Sequence, residues 1–450
     1  MITVDVRASG QRIGALSLEP ATQRWQFEYD MSWVGRDDRF ALSPALPLVR
    51  DAGQSPERHS NAVRTFFENL LPEGQALDDA AAASRLSRSN TFGLIAALGR
   101  ETAGALEIVG AGTPPVQPSE RRLLSRNELS ERVRARPDLP FAVWDGRVRL
   151  SIAGHQDKVA VLEDRNEWFL VDGTALASTH LLKPEPVAAA LAGMTSNEHF
   201  CMTLARAVGM SVANARLEHV PEPVLVVERF DRERVIEAGT VAAVKRLHCI
   251  DGCQALGLPV GLKYERPFGS GADVRHIRDG ARLPALFALL DQHATTPALE
   301  RVALLRWTIF QVLVGNIDAH AKNLTFFSRA EGLRLAPAYD LVSGLIYPGA
   351  DDSLAMAIGD EFAPRGLAAF DWGMFAVRCG LPGRLVAREL TRIADSAMER
   401  LQPIADAALA QGAHAQAIER MSGVVREQAE RLRKAAPSVA RIAREESGDI

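Results

Sequence analysis

The sequence predicts an α+β protein built from a small β-rich N-terminal subdomain, a mixed, strand-rich lobe and a mainly helical lobe. Three observations carry this expectation. Apolar residues alternate through about the first forty positions, and short apolar runs broken by turn residues fill Val148 to Val244. Beyond Leu283 the apolar residues recur at the helical period. A strand-rich part followed by a helix-rich part is the layout of two-lobed enzymes that keep their cleft between the lobes.

The elements follow in order. Ile2, Val4 and Val6, then Ile13, Ala15, Leu16 and Leu18, then Trp25, Phe27 and Tyr29 alternate between the turn signals Ser9-Gly10 and Glu19-Pro20, which predicts an antiparallel meander. Helical patterning follows around Val63–Leu71 and Phe92–Leu98. The proline-bearing stretch Gly110–Pro118 reads as a linker, so a boundary falls near residue 112 and the first domain spans 1–112. The second spans 145–450, with one lobe at 145–245 and a mainly helical lobe at 246–450. Val159–Leu162, Trp168–Val171, His180–Leu182 and Val224–Val227 read as strands, and Asn197–Val208 as an amphipathic helix. Leu299–Val314 and Leu385–Arg433 are helical, and Gly315–Ser343 between them looks too polar and too broken to be core.

Bulk properties narrow the function classes. The net charge of −4 over 450 residues gives no electrostatic reason for strong nucleic-acid binding by the chain alone, although contact through a partner stays open. The four cysteines form no CxxC. Cys249 and Cys253 would share a helix face if that stretch is helical, and they read as small buried hydrophobes; so few thiols suit a reducing compartment. The beginning of the chain lacks the basic flank and apolar run of a signal peptide, and no run of 18 apolar residues occurs. A soluble, cytoplasmic protein without a membrane partner is expected.

The strongest chemical signal is Gly315-Asn316-Ile317-Asp318-Ala319-His320-Ala321-Lys322-Asn323, at the end of an apolar helix and before the apolar run Leu324–Phe327. Phosphoryl transfer needs a carboxylate to accept the hydroxyl proton and an amide oxygen for Mg²⁺, and protein kinases place that Asp and Asn five positions apart, as Asp318 and Asn323 are here. Asp340, in Pro337-Ala338-Tyr339-Asp340-Leu341, lies where a second metal-binding carboxylate is expected, or is a helix N-cap or turn residue. His320 reads as a hydrogen-bonding scaffold or a general base. Lys322 neutralises a phosphate or is a solvated loop charge. Upstream, Lys183 closes the strand-like run His180–Lys183 and suits α/β-phosphates, with Glu198 its natural ion-pair partner; the alternative for each is a solvated charge. Ser151–Lys158 is neither a Walker A motif nor GxGxxG. It reads as a hairpin loop, or as a small polar loop able to lay N–H groups against phosphates. The strand Val224–Val227 turns polar at Glu228-Arg229-Phe230, where the backbone meets adenine or the strand simply ends.

Taken in order, SIAGHQDK (Ser151–Lys158), HLLKPE (His180–Glu185), NEHFCMTLARAVGM (Asn197–Met210), VERFDR (Val227–Arg232), CQALGLP (Cys253–Pro259), KYE (Lys263–Glu265), DAHAKN (Asp318–Asn323) and AYDLVS (Ala338–Ser343) resemble the HipA family. FFENLLPEG (Phe66–Gly74) and FGLIAALGRETAGAL (Phe92–Leu106) are similar to the subdomain ahead of its kinase core, so the resemblance runs from about residue 1 to 345.

It implies a two-lobed protein-kinase-like fold and an ATP-dependent serine/threonine protein kinase. In that reading Asp318 is the catalytic base, Asn323 and Asp340 hold Mg²⁺, and Lys183, paired with Glu198, binds phosphate. Ala153, Gly154, His155, Gln156, Asp157 and Lys158 form the phosphate loop, and Glu228, Arg229 and Phe230 the adenine-binding hinge. His320, Ala321, Lys322 and Tyr339 complete the ATP site. Ser151 is the implied autophosphorylation site. The implied substrates are aminoacyl-tRNA synthetases, glutamyl-tRNA synthetase foremost. The implied partner is a HipB-like helix-turn-helix antitoxin that binds operator DNA; no basic surface for direct DNA contact is evident near Gly344–Arg378. The rival readings are a small-molecule phosphotransferase and a nucleotide-binding regulator without kinase activity.

Overall fold

The computed structural model describes residues 1–51, 53–114, 116, 118–149, 156–349 and 351–449. Two compact units emerge: Met1–Val187, Glu218–Ile250 and Phe327–Gly332 form one, and Ala188–Leu217, Asp251–Phe326 and Leu333–Ile450 the other.

In the first unit the predicted meander is present as Ile2–Ala8, Gln11–Glu19 and Arg24–Tyr29, and a fourth strand, Leu106–Gly110, pairs antiparallel with the first. Alternation puts Leu16, Trp25 and Phe27 on one buried face, and Ile13, three positions before Leu16, is buried as well. Two helices cover it. Pro56–Glu68 starts at Ser55, whose hydroxyl accepts the Arg58 N–H, and brings Phe67 against Phe27; Thr91–Leu98 brings Phe92 against Trp25, 5.3 Å between ring centres.

The same unit carries a second sheet. Five of its strands lie in the order Pro223–Glu228, His180–Pro184, Val159–Asp164, Glu167–Asp172 and Glu120–Leu124. Leu124, Leu129, Val133, Phe141 and Trp144 share its core with Val159, Val161 and Leu182. Residues 113–144, which sequence patterning assigned to neither domain, thus contribute a strand and the helix Arg126–Arg134. The strand was hard to read because Glu120-Arg121-Arg122 is charged, as suits the edge of a sheet.

The second unit is mainly helical: Met194–Ala207, Leu283–His293, Pro297–Val314, Ala369–Arg378, Gly383–Ala410 and Ala415–Glu446. The stretch read as helical from Leu385 to Arg433 is two helices packed on each other. They are separated at Gly412, whose φ is +83, and His414 caps the second by accepting the Ala417 N–H.

Two expectations need correction. Cys249 lies in the strand Cys249–Asp251 and Cys253 in the short helix Gly252–Leu256, so they share no helix face, although all four cysteines are buried. The switch from strand to helix is made by Asp251, which forms a capping box with Gln254. The stretch 315–343, read as too polar for core, is in large part buried: Asn316, His320, Lys322 and Ser343 are each at most 5% exposed. Some of its polar groups find partners in distant segments, Lys322 in Asp251 and the Ser343 N–H in Asn197, which composition does not reveal.

Candidate active site

The helix Pro297–Val314 ends at Gly315, which adopts φ +65. A Cβ there would fall 2.7 Å from Leu345 Cδ1, so both the left-handed turn and the close packing call for glycine. The chain then runs into a built loop. Asn316 donates its side-chain amide to Gln311 Oε1 at 2.8 Å and accepts the Asp318 N–H on its own oxygen at 3.0 Å. The Asp318 carbonyl accepts two donors, the His320 N–H and Asn323 Nδ2, each at 2.8 Å. The D-x4-N spacing therefore closes a ring, and because the Asn323 amide spends its nitrogen on Asp318, its Oδ1 is the acceptor left over for a cation.

The Asp318 side chain is half exposed while Ala319 and His320 after it are buried. Tyr264 donates its hydroxyl to the Asp318 carboxylate. His320 Nε2 stands 3.8 Å from the same carboxylate, and its ring meets Tyr264 edge-on, 4.9 Å between centres. At 3.8 Å the His320 ring lies beside the carboxylate but beyond hydrogen-bond range of it. Tyr264 is itself placed by the loop closure behind it: Ala321 donates its N–H to the Lys263 carbonyl at 3.1 Å, and a Cβ on Gly280 would overlap the Tyr264 carbonyl oxygen. Sequence reasoning quoted Tyr264 within KYE but gave it no role. A single tyrosine distant in sequence offered no signal beyond that motif.

Lys322 is not the solvated loop charge weighed above. Its side chain is 2% exposed and its Nζ lies 2.6 Å from Asp251 Oδ2, so it pins the loop to the helix that Asp251 caps. Tyr339 donates its hydroxyl to the Lys322 carbonyl at 2.8 Å, which ties the Asp340 segment to the same loop. Asp340 has φ +54, a conformation that costs a non-glycine residue energy and that clusters at functional sites. No helix begins there, so the N-cap alternative is removed.

Asn323 and Asp340 supply oxygen donors, which Mg²⁺ prefers. Among the described residues no group of three His, Cys, Asp or Glu forms a metal cage. A cation here would take few protein ligands and complete its shell with phosphate and water oxygens, as Mg²⁺ does in phosphoryl-transfer sites.

In the first unit Lys183 is buried on the inner strand His180–Pro184, paired across to Leu225. In the second unit Glu198 is fully buried near the start of the helix Met194–Ala207. Neither is a solvated charge. The autophosphorylation candidate Ser151 and, of the phosphate-loop candidates, Ala153, Gly154 and His155 lie outside the described residues. Lys158 is buried, and Asp157 accepts from Arg136 at 3.0 Å.

At Glu228-Arg229-Phe230 the Arg229 side chain is wholly committed elsewhere. It donates to Asp231, Glu101, Ser178 and the Thr102 carbonyl, and its backbone N–H goes to the Thr179 carbonyl at 2.9 Å. Any nucleotide contact at this strand end therefore rests on other backbone groups. Asp231 lies at the centre of this cluster: burial opposes its ionisation, but Arg229 and Arg232 outweigh that and hold its carboxyl well below the usual range.

A family model described as HipA N-terminal domain matches residues 4–109, and one described as HipA-like C-terminal domain matches residues 150–401. The match thus continues past Ser343, where motifs are no longer readable by eye. The serine/threonine-protein kinase toxin HipA of Shewanella oneidensis is 37% identical over 396 residues, 87% of each chain. A putative kinase, Y4mE, of Sinorhizobium fredii is 33% identical over 385 residues, 83% of this chain and 85% of that one. A solved Shewanella oneidensis HipA, in complex with HipB and operator DNA, superposes with a TM-score of 0.85 at 34% identity, covering 97% of this chain and 99% of that one. With a family model over more than half its length and relatives this similar along most of it, the chain belongs to the HipA family of serine/threonine protein kinases.

Proposed function

We propose that this kinase is the ATP- and Mg²⁺-dependent toxin of a cytoplasmic toxin–antitoxin pair. It phosphorylates an aminoacyl-tRNA synthetase, glutamyl-tRNA synthetase first among candidates, and so slows translation and growth. It also modifies its own Ser151, and a HipB-like helix-turn-helix antitoxin, through which it reaches operator DNA, neutralises it. The complex of the Shewanella HipA with HipB and operator DNA supports the partner and the DNA link.

The observation that carries the catalytic part is the loop Asn316–Asn323. An accessible carboxylate on Asp318 is held from behind by Tyr264, and the Asn323 amide is spent on the Asp318 carbonyl so that its oxygen remains. ATP supplies the transferred γ-phosphoryl, and Mg²⁺ offsets phosphate charge, when bound. Asp318 accepts the proton of the serine or threonine hydroxyl as its oxygen bonds to phosphorus and the bond to ADP breaks. Asn323 and Asp340 hold the cation. Lys183, with Glu198 as its partner, binds α/β-phosphates. The phosphate loop Ala153–Lys158 and backbone groups at Glu228–Phe230 take the rest of the nucleotide.

The tests are transfer from γ-labelled ATP by purified wild type and Asp318→Gln, and phosphoproteomics of cells expressing each. Label on Ser151 and on a synthetase with wild type alone is the expected result. An active Asp318→Gln protein, or label found only on a small metabolite, overturns the reading.

A further inference from the structure

Gln311 is a polar residue in an apolar place. It lies in the last turn of the helix Pro297–Val314, where Ile309, Phe310, Val312, Leu313 and Val314 are each at most 1% exposed. Gln311 itself is buried too. An amide there is unfavourable unless its polar atoms are met. Its side-chain oxygen accepts from Asn316 Nδ2 at 2.8 Å, and its main-chain carbonyl accepts the Asn316 N–H at 2.8 Å. Its Nε2 and Trp307 Nε1, one turn earlier on the helix, have no acceptor among the described residues. Both residues line a cavity of about 20 Å³, a volume that admits a single water as acceptor.

The direction of these bonds is dictated from the Asp318 end. A backbone N–H only donates, so Asn316 has to turn its oxygen to the Asp318 N–H, which it accepts at 3.0 Å. The Asn316 NH₂ group then faces residue 311, where only an acceptor suits it. Gln311 answers with Oε1, even though this turns Nε2 away to a side without a protein acceptor. The amide at 311 is therefore oriented by the loop and not by the packing around it. The chain of bonds continues beyond Asp318, whose carbonyl takes the His320 N–H and Asn323 Nδ2. A displaced Asn316 thus disturbs both the carboxylate and the amide whose oxygen faces the cation.

We infer that Gln311 is a positioning residue for phosphoryl transfer. From inside the helix it fixes the rotamer of Asn316, and through Asn316 the place of Asp318. This role rests on Asp318 being the base, as proposed above. A reacting group misplaced by about 1 Å loses on the order of 100-fold in rate, which bounds the effect.

The experiment measures label transfer from γ-labelled ATP to protein, both the chain itself and added dephosphorylated casein, with a melting temperature for every variant. Gln311→Met keeps the volume and loses the acceptor. It is expected to lower the maximal rate about ten- to 100-fold at unchanged KM for ATP. Gln311→Glu keeps an acceptor for Asn316 whether or not it is protonated, and is expected to restore the rate to within about threefold of wild type. Gln311→Met strands a buried donor on Asn316; should it fail to fold, Gln311→Met with Asn316→Ala removes that donor as well. The double variant is expected to show the same single loss of rate, since one chain of bonds is broken once, with a melting temperature nearer wild type. A folded Gln311→Met or double variant at the wild-type rate overturns the role, and so does Gln311→Glu as slow as Gln311→Met. Asp318→Gln in parallel keeps the two readings apart. If it stays active, the base assignment falls; if it is inactive while Gln311→Met runs at the wild-type rate, only the role of Gln311 falls.

Discussion

Tyr264 donates its hydroxyl to the carboxylate of Asp318 and stands edge-on against His320, so the proposed base is aimed by a neutral donor rather than by a second charge. Tyr264→Phe keeps the ring contact and removes only the hydrogen bond. A hydrogen bond to a charged group contributes about 1.5–3 kcal/mol, so kcat for phosphoryl transfer is expected to fall about ten- to 150-fold, with the KM for ATP and the melting temperature unchanged. Initial-rate kinetics check this. An undiminished kcat would show that Asp318 needs no such alignment.

Asn323 is asked to do two things at once, donating to the Asp318 carbonyl through Nδ2 and offering Oδ1 to a cation. Asn323→Asp keeps an oxygen but loses the donor and sets a negative charge against that carbonyl. Both Asn323→Ala and Asn323→Asp are expected to lower kcat on the order of 100-fold, because an interaction realised in the transition state is lost. Only Asn323→Ala should also raise the Mg²⁺ concentration needed for half-maximal rate. Parallel Mg²⁺ titrations distinguish them, and an unchanged requirement in Asn323→Ala would remove it from the metal site.

The buried pair Lys322–Asp251 is a stability feature next to the chemistry. Removing one partner leaves an uncompensated charge, which costs about 3–5 kcal/mol, whereas replacing both by apolar groups is often close to neutral. Lys322→Met is therefore expected to lower urea-unfolding stability by about that amount. Lys322→Met combined with Asp251→Asn should recover part of it. The recovery is incomplete because Asp251 also caps the helix Gly252–Leu256. A single mutant as stable as wild type would show that the pair is dispensable.

How much of this was legible in the sequence differs by residue. The D-x4-N spacing and the apolar helix before it located the loop, since both are local signals, and the strands around Lys183 were visible as short apolar runs. The burial of 315–343 was not visible. Lys322 finds Asp251, Ala321 finds the Lys263 carbonyl and Tyr339 finds Lys322 only after the chain has folded back over long sequence separations. Arg229 is the opposite case. A basic residue at a strand end beside a candidate nucleotide site invites a ligand role. Its side chain instead belongs to a buried charge cluster with Asp231 and Glu101, partners that no periodicity announces.

His248 makes the first unit sensitive to mild acid. Its ring is buried, stacked on Phe40 at 4.1 Å, and Nε2 donates to the Leu42 carbonyl at 3.1 Å. Burial pulls its pKa down to about 4, against the opposing pull of the Leu42 and Ala41 carbonyls. In the unfolded chain the imidazole titrates near 6.5. Between these values the unfolded state binds more protons than the folded one, so stability rises with pH in that window. The contribution is complete above about pH 6.5 and is lost as pH falls through about 4, a change of about 3 kcal/mol. Denaturant unfolding between pH 7 and pH 4.5 is expected to show this slope. His248→Gln, which keeps a donor for the Leu42 carbonyl but cannot charge, is expected to flatten it. A variant that retains the full wild-type slope would mean that another group titrates in the window and that the buried imidazole contributes little.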